Sequence, residues 1–147
     1  MDPLRVAELE RRLGYRFRAP SLLEEALTHA SFANEHPPAA DHARLAFLGD
    51  AALGLVVADH VIAADPAAAV GELTARRAEL VTGRHLARWA VELELGALLR
   101  LGRGEDQSGG RTRDSILASA LEAVLGAIYR EGGLDEVRRV LGRLGAW

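Results

Sequence analysis

The sequence contains no cysteine and no lysine, and aromatic residues make up only 5% of its 147 residues. The absence of cysteine excludes a disulfide framework, a thiolate zinc site and a cysteine nucleophile. With so few aromatics, the core must consist of Ala, Leu and Val, which is typical of a helical protein. Apart from five histidines, every basic residue is arginine, which suits bidentate phosphate contacts. A GC-rich genome also replaces lysine by arginine, and we attribute the missing lysine mainly to that.

Long apolar runs are missing as well. No stretch of about 18 apolar residues is free of charge, and residues 1–5 contain no apolar signal core. These absences predict a cytoplasmic chain with no membrane-spanning helix. The apolar content of 49% and charged content of 27% are those of a globular protein, and the length predicts a single domain over residues 1–147.

Charge is unevenly distributed along the chain, whose formal net charge is −3. Residues 19–75 carry one arginine and eight acids, whereas residues 76–113 carry eight arginines and five acids. An acidic block is therefore followed by a basic block. The basic block is the part of the chain best suited to contact phosphates.

Apolar periodicity predicts an all-α fold of about six or more helices, because no segment shows the alternation of a strand. The predicted helices cover residues 4–13, 20–29, 41–64, 71–95 (one helix or a broken pair), 114–130 and 134–144. Residues 34–40 and the glycine-rich residues 96–113 are predicted to be mostly loop.

Two carboxylates, Asp50 and Glu122, stand among apolar residues. Glu122 lies on a predicted helix that is apolar on most sides, so it needs an arginine, a hydrogen-bond donor or a metal as partner. A buried arginine pair and a metal ligand are both open for it. For Asp50 we favour a helix N-cap after Gly49 over a position inside a continuous helix.

The other candidate residues are weaker indications of a functional site. His29 stands at a predicted helix end and is interpreted as a capping group rather than as a base or a ligand. Residues 101–113 offer backbone N–H groups and guanidiniums that suit phosphates, but a plain connection is the simpler interpretation. The histidines show no ligand-like spacing, and no Ser–His–Asp arrangement can be argued.

Several segments match, in order, a pattern shared by one family. Residues 44–53 read R-L-A-F-L-G-D-A-A-L, close to E-R-L-E-F-L-G-D-[AS]-[VI]-L. S-G-G at 108–110 and D-S-I-L-A at 114–118 match S-G-G-x-R-R-E-S-I-L-A-D. E-A-V-L-G-A-I-Y at 122–129 matches E-A-[LV]-[IL]-G-A-I-Y. Over about residues 9–144 the chain resembles the catalytic domain of bacterial ribonuclease III.

The resemblance implies an all-helical homodimer that hydrolyses double-stranded RNA and leaves 5′-phosphate and 3′-hydroxyl ends. It also implies an acidic cluster that binds Mg²⁺, or Mn²⁺ in its place, with Asp50 and Glu122 as metal ligands and catalytic residues. Mg²⁺ prefers carboxylate oxygens and retained waters. The other two acids of the family cluster are replaced here by Ala46 and Ser119, which predicts low metal affinity.

Two functions fit these replacements. The short relatives called Mini-ribonuclease III keep the same Asp and Glu, have small residues at the other two positions, and lack a double-stranded RNA-binding domain, as we expect of this chain. That similarity favours a reduced but active enzyme. The alternative is a pseudoenzyme without a metal, a scaffold or silent dimer partner that binds RNA or protein. Pairing of the two acids with Arg44 or Arg113, and reuse of the fold for unrelated chemistry, also stay open.

The resemblance extends to partners. Phe47 occupies the position of a family residue that inserts into a socket on the other subunit, although Phe47 as ordinary core is an alternative. We expect a homodimer, or a heterodimer with an intact ribonuclease III. Weak, salt-dependent binding of double-stranded or structured RNA is expected through the basic block. The candidate contacts are Arg76, Arg77, Arg103, Arg111 and Arg113. The sequence names neither the RNA nor a delivering protein.

Overall fold

The computed structural model describes residues 1–147 and contains ten α-helices, one short 3₁₀ helix and no strand. The all-α prediction is therefore confirmed. The helices are α1 (Pro3–Leu13), α2 (Pro20–Ala26), α3 (Ala30–Glu35), α4 (Ala43–Ala64), α5 (Val70–Leu80), α6 (Gly83–Glu92), α7 (Leu95–Leu98), α8 (Arg103–Gln107), α9 (Asp114–Gly132) and α10 (Leu134–Arg143), with the 3₁₀ helix at Gly110–Thr112.

Helices α4 and α9 cross at the centre of the molecule with their backbones in contact. A Cβ atom at Gly49 would lie 1.7 Å from the carbonyl oxygen of Glu122, and one at Gly126 would lie 2.1 Å from that of Leu45. Only glycine permits so close an approach. Because Leu45 meets Gly126 while Gly49 meets Glu122, the two helices run antiparallel.

Helix α9 is the axis of the core, a cluster of 34 buried residues. Helices α2, α4, α6 and α10 all pack against it. The apolar face that its periodicity predicts is buried at every position: Leu117, Leu121, Val124, Leu125 and Ile128. The central helix is thus held from several sides, which fixes the position of every side chain that it carries.

The boundaries of the shorter elements differ from the predictions. Residues 71–95 form a broken pair, because α5 ends at Leu80 and Thr82 begins a new helix. Thr82 caps α6 by accepting a hydrogen bond from the amide of His85 at 3.2 Å. The prediction of loop for residues 96–113 is wrong in part. Helices α7 and α8 and the 3₁₀ helix lie there, and Arg111 holds them together by donating to the carbonyls of Gly96 and Leu99 at 3.0 and 2.6 Å.

Helix α3 was not expected, and it begins beside His29. The Nδ1 atom of His29 accepts a hydrogen bond from the amide of Ser31 at 3.1 Å. His29 is therefore a capping group, but it caps the start of α3 and not the end of the predicted helix 20–29, since α2 ends at Ala26. The sequence did not reveal α3 because a helix of six residues is too short to show a periodic apolar pattern.

By length and composition alone, α4 is the one helix in the chain that could cross a membrane. The sequence did not predict α4 as a membrane span because Arg44, Asp50 and Asp59 interrupt its apolar run. The helix packs against α5, α9 and α10. A core helix of a globular fold passes the same test, so the result is weak evidence for a span.

Candidate functional site

Asp50 lies inside α4, directly after the contact residue Gly49. The preferred interpretation of Asp50 as an N-cap is therefore wrong, since the helix begins at Ala43 and continues through Asp50. Gly49, which suggested a helix start, is instead required by the approach of α9. The side chain of Asp50 is exposed and lies at the edge of the helix crossing.

Glu122 lies on α9 opposite Gly49, and its side chain is half-buried. Burial, followed by the negative charge of Asp50, raises the pKa of Glu122 to about 7. The two carboxylates are thus close enough for one to disfavour ionisation of the other. The crossing brings together two acids that are 72 positions apart in the chain, as their numbering shows.

Neither acid has an internal cation as partner. No arginine is among the groups that shift the pKa of Glu122. Arg113 instead pairs with Glu105 and donates to the carbonyl of Ser108 at 3.1 Å. The alternative of a structural arginine pair is therefore wrong, and the charge of the Asp50/Glu122 pair is left for solvent or a ligand.

Ala46 and Ser119 lie about one helical turn before Asp50 and Glu122, and both are half-buried. Their small side chains limit the site to two carboxylates, and no group of three or more His, Asp or Glu side chains in the chain could hold a metal ion. Mg²⁺ is commonly bound through one or two carboxylates and keeps several waters. Two mutually repelling, unpaired carboxylates fit one such cation, held weakly.

Phe47 is 81% exposed, so its interpretation as ordinary core is wrong. It borders a surface depression of about 670 Å³ lined by Leu22, Glu25, Ala43, Arg44, Leu45, Phe47, Leu48 and Arg130. An exposed aromatic beside an apolar depression is typical of a protein contact surface. Sequence reasoning missed Glu25 and Arg130 at this place, since nothing in their spacing relates them to Phe47.

The five arginines predicted to contact RNA do not form one surface. Arg76 and Arg77 lie on α5, which packs against α4. The other three lie on or beside α8 and the 3₁₀ helix, which pack against α3, α7 and α9. The basic block of the sequence is therefore divided between two parts of the fold.

Three of these arginines also have internal partners. The ion pairs join Arg76 to Asp65 at 3.2 Å, Arg111 to Asp106 at 2.8 Å, and Arg113 to Glu105. The side chains of Arg77 and Arg103 form no ion pair and are exposed. These two guanidiniums are the ones that are free to meet a phosphate.

Comparison with known proteins shows which family the sequence resembles. The profile of the family described as Ribonuclease-III-like matches residues 19–144. The chain is 50% identical over 141 residues to Ribonuclease 3 of Heliobacterium modesticaldum, covering 95% of this chain and 60% of that protein. It is 51% identical over 146 residues to Ribonuclease 3 of Symbiobacterium thermophilum, covering 99% of this chain and 62% of that protein. The chain thus spans about three fifths of these curated relatives.

The fold has a solved counterpart. The nuclease domain of ribonuclease III from Campylobacter jejuni superposes with a TM-score of 0.89 at 38% sequence identity, covering 95% of this chain and 94% of that one. That structure is described as flexible in a region involved in dimer formation. The likeness therefore extends over the whole nuclease domain and includes the helices that carry Asp50 and Glu122.

Proposed function

Since the chain belongs to the ribonuclease-III-like family, we propose that it is an endonuclease that hydrolyses double-stranded RNA with Asp50 and Glu122 as its catalytic acids. The products are 5′-phosphate and 3′-hydroxyl ends. The observation that carries the proposal is the pair itself. Two carboxylates without internal partners meet where α4 and α9 touch, in the segments that match the family pattern.

The same two residues are the proposed ligands of Mg²⁺, with Mn²⁺ as a substitute. The ion would activate the attacking water and stabilise the leaving oxygen. Asp50 is exposed and offers its oxygens to the solvent side, whereas Glu122 is half-buried and fixed by the packing of α9. A cation between them would relieve the repulsion by Asp50, which adds to burial in raising the pKa of Glu122. With only two ligands, we expect weak affinity.

RNA is proposed to bind through its phosphates, with Arg77 and Arg103 as the principal contacts. Their unpaired guanidiniums support this choice. The ion pairs of Arg76, Arg111 and Arg113 make these three weaker candidates. Contacts of this kind are largely independent of base sequence and weaken steeply with salt.

A two-fold homodimer is proposed to form through the surface around Phe47. In such a dimer the exposed ring of each copy enters the depression of the other, which buries an aromatic side chain that is otherwise in solvent. Glu25 and the arginines Arg44 and Arg130 line the same depression. Identical copies can therefore match opposite charges around the ring.

A second function is favoured by the small residues at the site. Ala46 and Ser119 leave two carboxylates, and no third metal-ligating side chain joins them. The domain would then be an inactive scaffold, or a silent subunit that pairs through Phe47 with an intact ribonuclease III. In that case the contact surface is functional while the Asp50/Glu122 pair is not.

Cleavage of end-labelled double-stranded RNA at low salt, with Mg²⁺ or Mn²⁺, separates the two functions. We expect cleavage by the wild type and none by Asp50→Asn or Glu122→Gln. Asp59→Asn is the matched control, because Asp59 lies on the same helix, is exposed and pairs only with Arg138 at 2.8 Å. No cleavage at high protein concentration would reject the nuclease. Native mass spectrometry with an intact homologue would then test for a silent partner.

A further inference from the structure

His42, the residue that precedes α4, is buried without full hydrogen bonding. It is 7% exposed, and its Nδ1 is the one buried side-chain nitrogen or oxygen in the chain that lacks a hydrogen-bond partner. Leaving a buried polar atom unsatisfied costs about 1–3 kcal/mol. Such a group therefore calls for a physical account.

The ring of His42 faces the ring of His29 edge-on, with centroids 5.8 Å apart and planes at 88°. The backbone around the two histidines joins three parts of the fold. The amide of His42 donates to the carbonyl of Thr28 at 2.8 Å, and the amide of His29 donates to that of Arg100 at 3.0 Å. The His29/His42 pair thus lies where the start of α4, the turn between α2 and α3, and the segment after α7 meet.

The backbone of Ala26 and the carboxylate of Asp41 favour a positive charge on His42, but burial and His29 outweigh them. His29 acts on it as a second basic group, while Asp41 is the acid beside it and already accepts a hydrogen bond from the amide of Ala43 at 2.9 Å. Burial, and then the charge of His29, lower the pKa of His42. The other charged groups of the elements packed here are placed elsewhere: Glu24 pairs with Arg100, and Glu25 and Arg44 line the depression beside Phe47.

We propose that the His29/His42 pair is a pH-sensitive latch, which holds the start of α4 against the turn between α2 and α3 as long as His42 is neutral. Protonation places a charge in a buried site beside a second imidazole, so the ring must move to solvent to be hydrated. The bond from His42 to Thr28 then opens, and the first turn of α4 loosens. The latch goes beyond the proposed nuclease, since it requires neither metal nor RNA.

The sign of the effect follows from the direction of the shift. A histidine whose pKa is lowered by folding binds its proton less readily in the folded than in the unfolded chain. The latch is therefore fully closed above the ordinary histidine pKa of 6.5 and is lost as the pH falls through the lowered pKa of folded His42. The His29/His42 pair therefore responds to acidification.

Amide hydrogen exchange, followed by NMR and corrected for the intrinsic pH dependence, tests the latch. Between pH 7.5 and pH 5 we expect the protection of the His42 and His29 amides to fall by about tenfold or more, while that of Leu125 in α9 stays constant. The fall should be absent in His42→Leu and present in His36→Asn, which removes an exposed histidine. Equal loss at Leu125, or a loss that persists in His42→Leu, would overturn the proposal.

If His42→Leu does not fold, the ring resonances of wild-type His42 decide. A titration midpoint below the ordinary histidine range, coincident with shifts of the His42 and His29 amides, is the expected result. A midpoint in the ordinary range, or a titration that leaves those two amides unchanged, would overturn the latch.

Discussion

The crossing of α4 and α9 and the arginine-rich residues 76–113 carry opposite charges and differ in how those charges are used. At the crossing, Asp50 and Glu122 have no internal cation, and burial, followed by the negative charge of Asp50, raises the pKa of Glu122. In residues 76–113, most of the arginines predicted to bind RNA already pair with acids of the chain. Unpaired charge, and not the number of charges in a segment, indicates what a ligand can meet.

The two regions are also held together differently. The crossing depends on backbone contact through Gly49 and Gly126, which leaves the nearby carboxylates unconstrained by partners. Residues 96–113 depend on side chains, above all on Arg111, which bonds to two carbonyls and a carboxylate. A substitution should therefore act on the backbone contact in the first region and on hydrogen bonds in the second.

The largest expected effect is at the crossing. Gly49→Ala would place a methyl group 1.7 Å from the carbonyl oxygen of Glu122, and we expect a loss of about 3 kcal/mol in the free energy of unfolding, measured in urea. Gly54→Ala on the same helix is the control, since nothing lies within 4 Å of its Cβ position. It should gain about 0.5–1 kcal/mol. Equal stability of the two variants would show that the helix backbones do not touch.

The next effect concerns the arginines that have internal partners. Arg111→Ala should lower the free energy of unfolding by about 2 kcal/mol, because it removes hydrogen bonds to the carbonyls of Gly96 and Leu99 and an ion pair with Asp106. Arg77→Ala, which loses no partner, should stay within about 0.5 kcal/mol of the wild type. An equal loss in the free energy of unfolding for both variants would contradict the distinction between arginines with internal partners and arginines without them.

A smaller effect, of opposite sign, is expected for Glu122. Its pKa of about 7 in the folded chain exceeds the ordinary 4.5, so the folded state favours the protonated acid. That contribution to stability is complete below pH 4.5 and is lost as the pH rises through 7. Glu122→Gln should therefore be more stable than the wild type by about 1–2 kcal/mol at pH 8, a range reduced for the solvent that reaches this half-buried side chain.

Urea unfolding of wild type and Glu122→Gln at pH 4 and pH 8 provides the comparison. The difference in the free energy of unfolding between wild type and Glu122→Gln should vanish at pH 4. The other titrating groups are the same in both proteins, so their contributions cancel from this difference. A Glu122→Gln protein that is less stable than the wild type at pH 8 would mean that the ionised carboxylate has a stabilising partner.

The smallest effect concerns RNA affinity. Arg77→Ala and Arg103→Ala should each weaken binding to a double-stranded RNA and lower the slope of log affinity against log salt by about 1. Arg76→Ala, the neighbour with an ion pair to Asp65, should change the slope less. Fluorescence anisotropy over a salt series measures all three. A larger change for Arg76→Ala would reverse the assignment of free and engaged guanidiniums.

Much of the fold could be predicted from the sequence because the long helices carry their own pattern. The apolar period of α9 predicted its buried face. Helices α3, α7 and α8 could not be found in this way, since each has six residues or fewer. Helices that short are stabilised by caps and contacts with distant residues rather than by their own propensity.

The site shows a different limit. Asp50 and Glu122 stood out because a carboxylate in an apolar run needs an explanation. The surroundings of the two acids could not be predicted from the sequence, because Gly49 is equally typical of a helix start and of a close helix contact. The two possibilities are distinguished only by the contact of Gly49 with the helix that carries Gly126. In the same way, nothing local to Phe47 distinguishes a core residue from one that is 81% exposed.

The central claim is that Asp50 and Glu122 act together as one cation-binding pair. Isothermal titration calorimetry with Mn²⁺ at pH 8, in the absence of RNA, tests it most directly. We expect one weakly bound ion per chain, lost in Asp50→Asn and in Glu122→Gln and retained in Asp59→Asn. An ion that binds Asp50→Asn as tightly as the wild type, or no binding to the wild type at millimolar Mn²⁺, would contradict the claim.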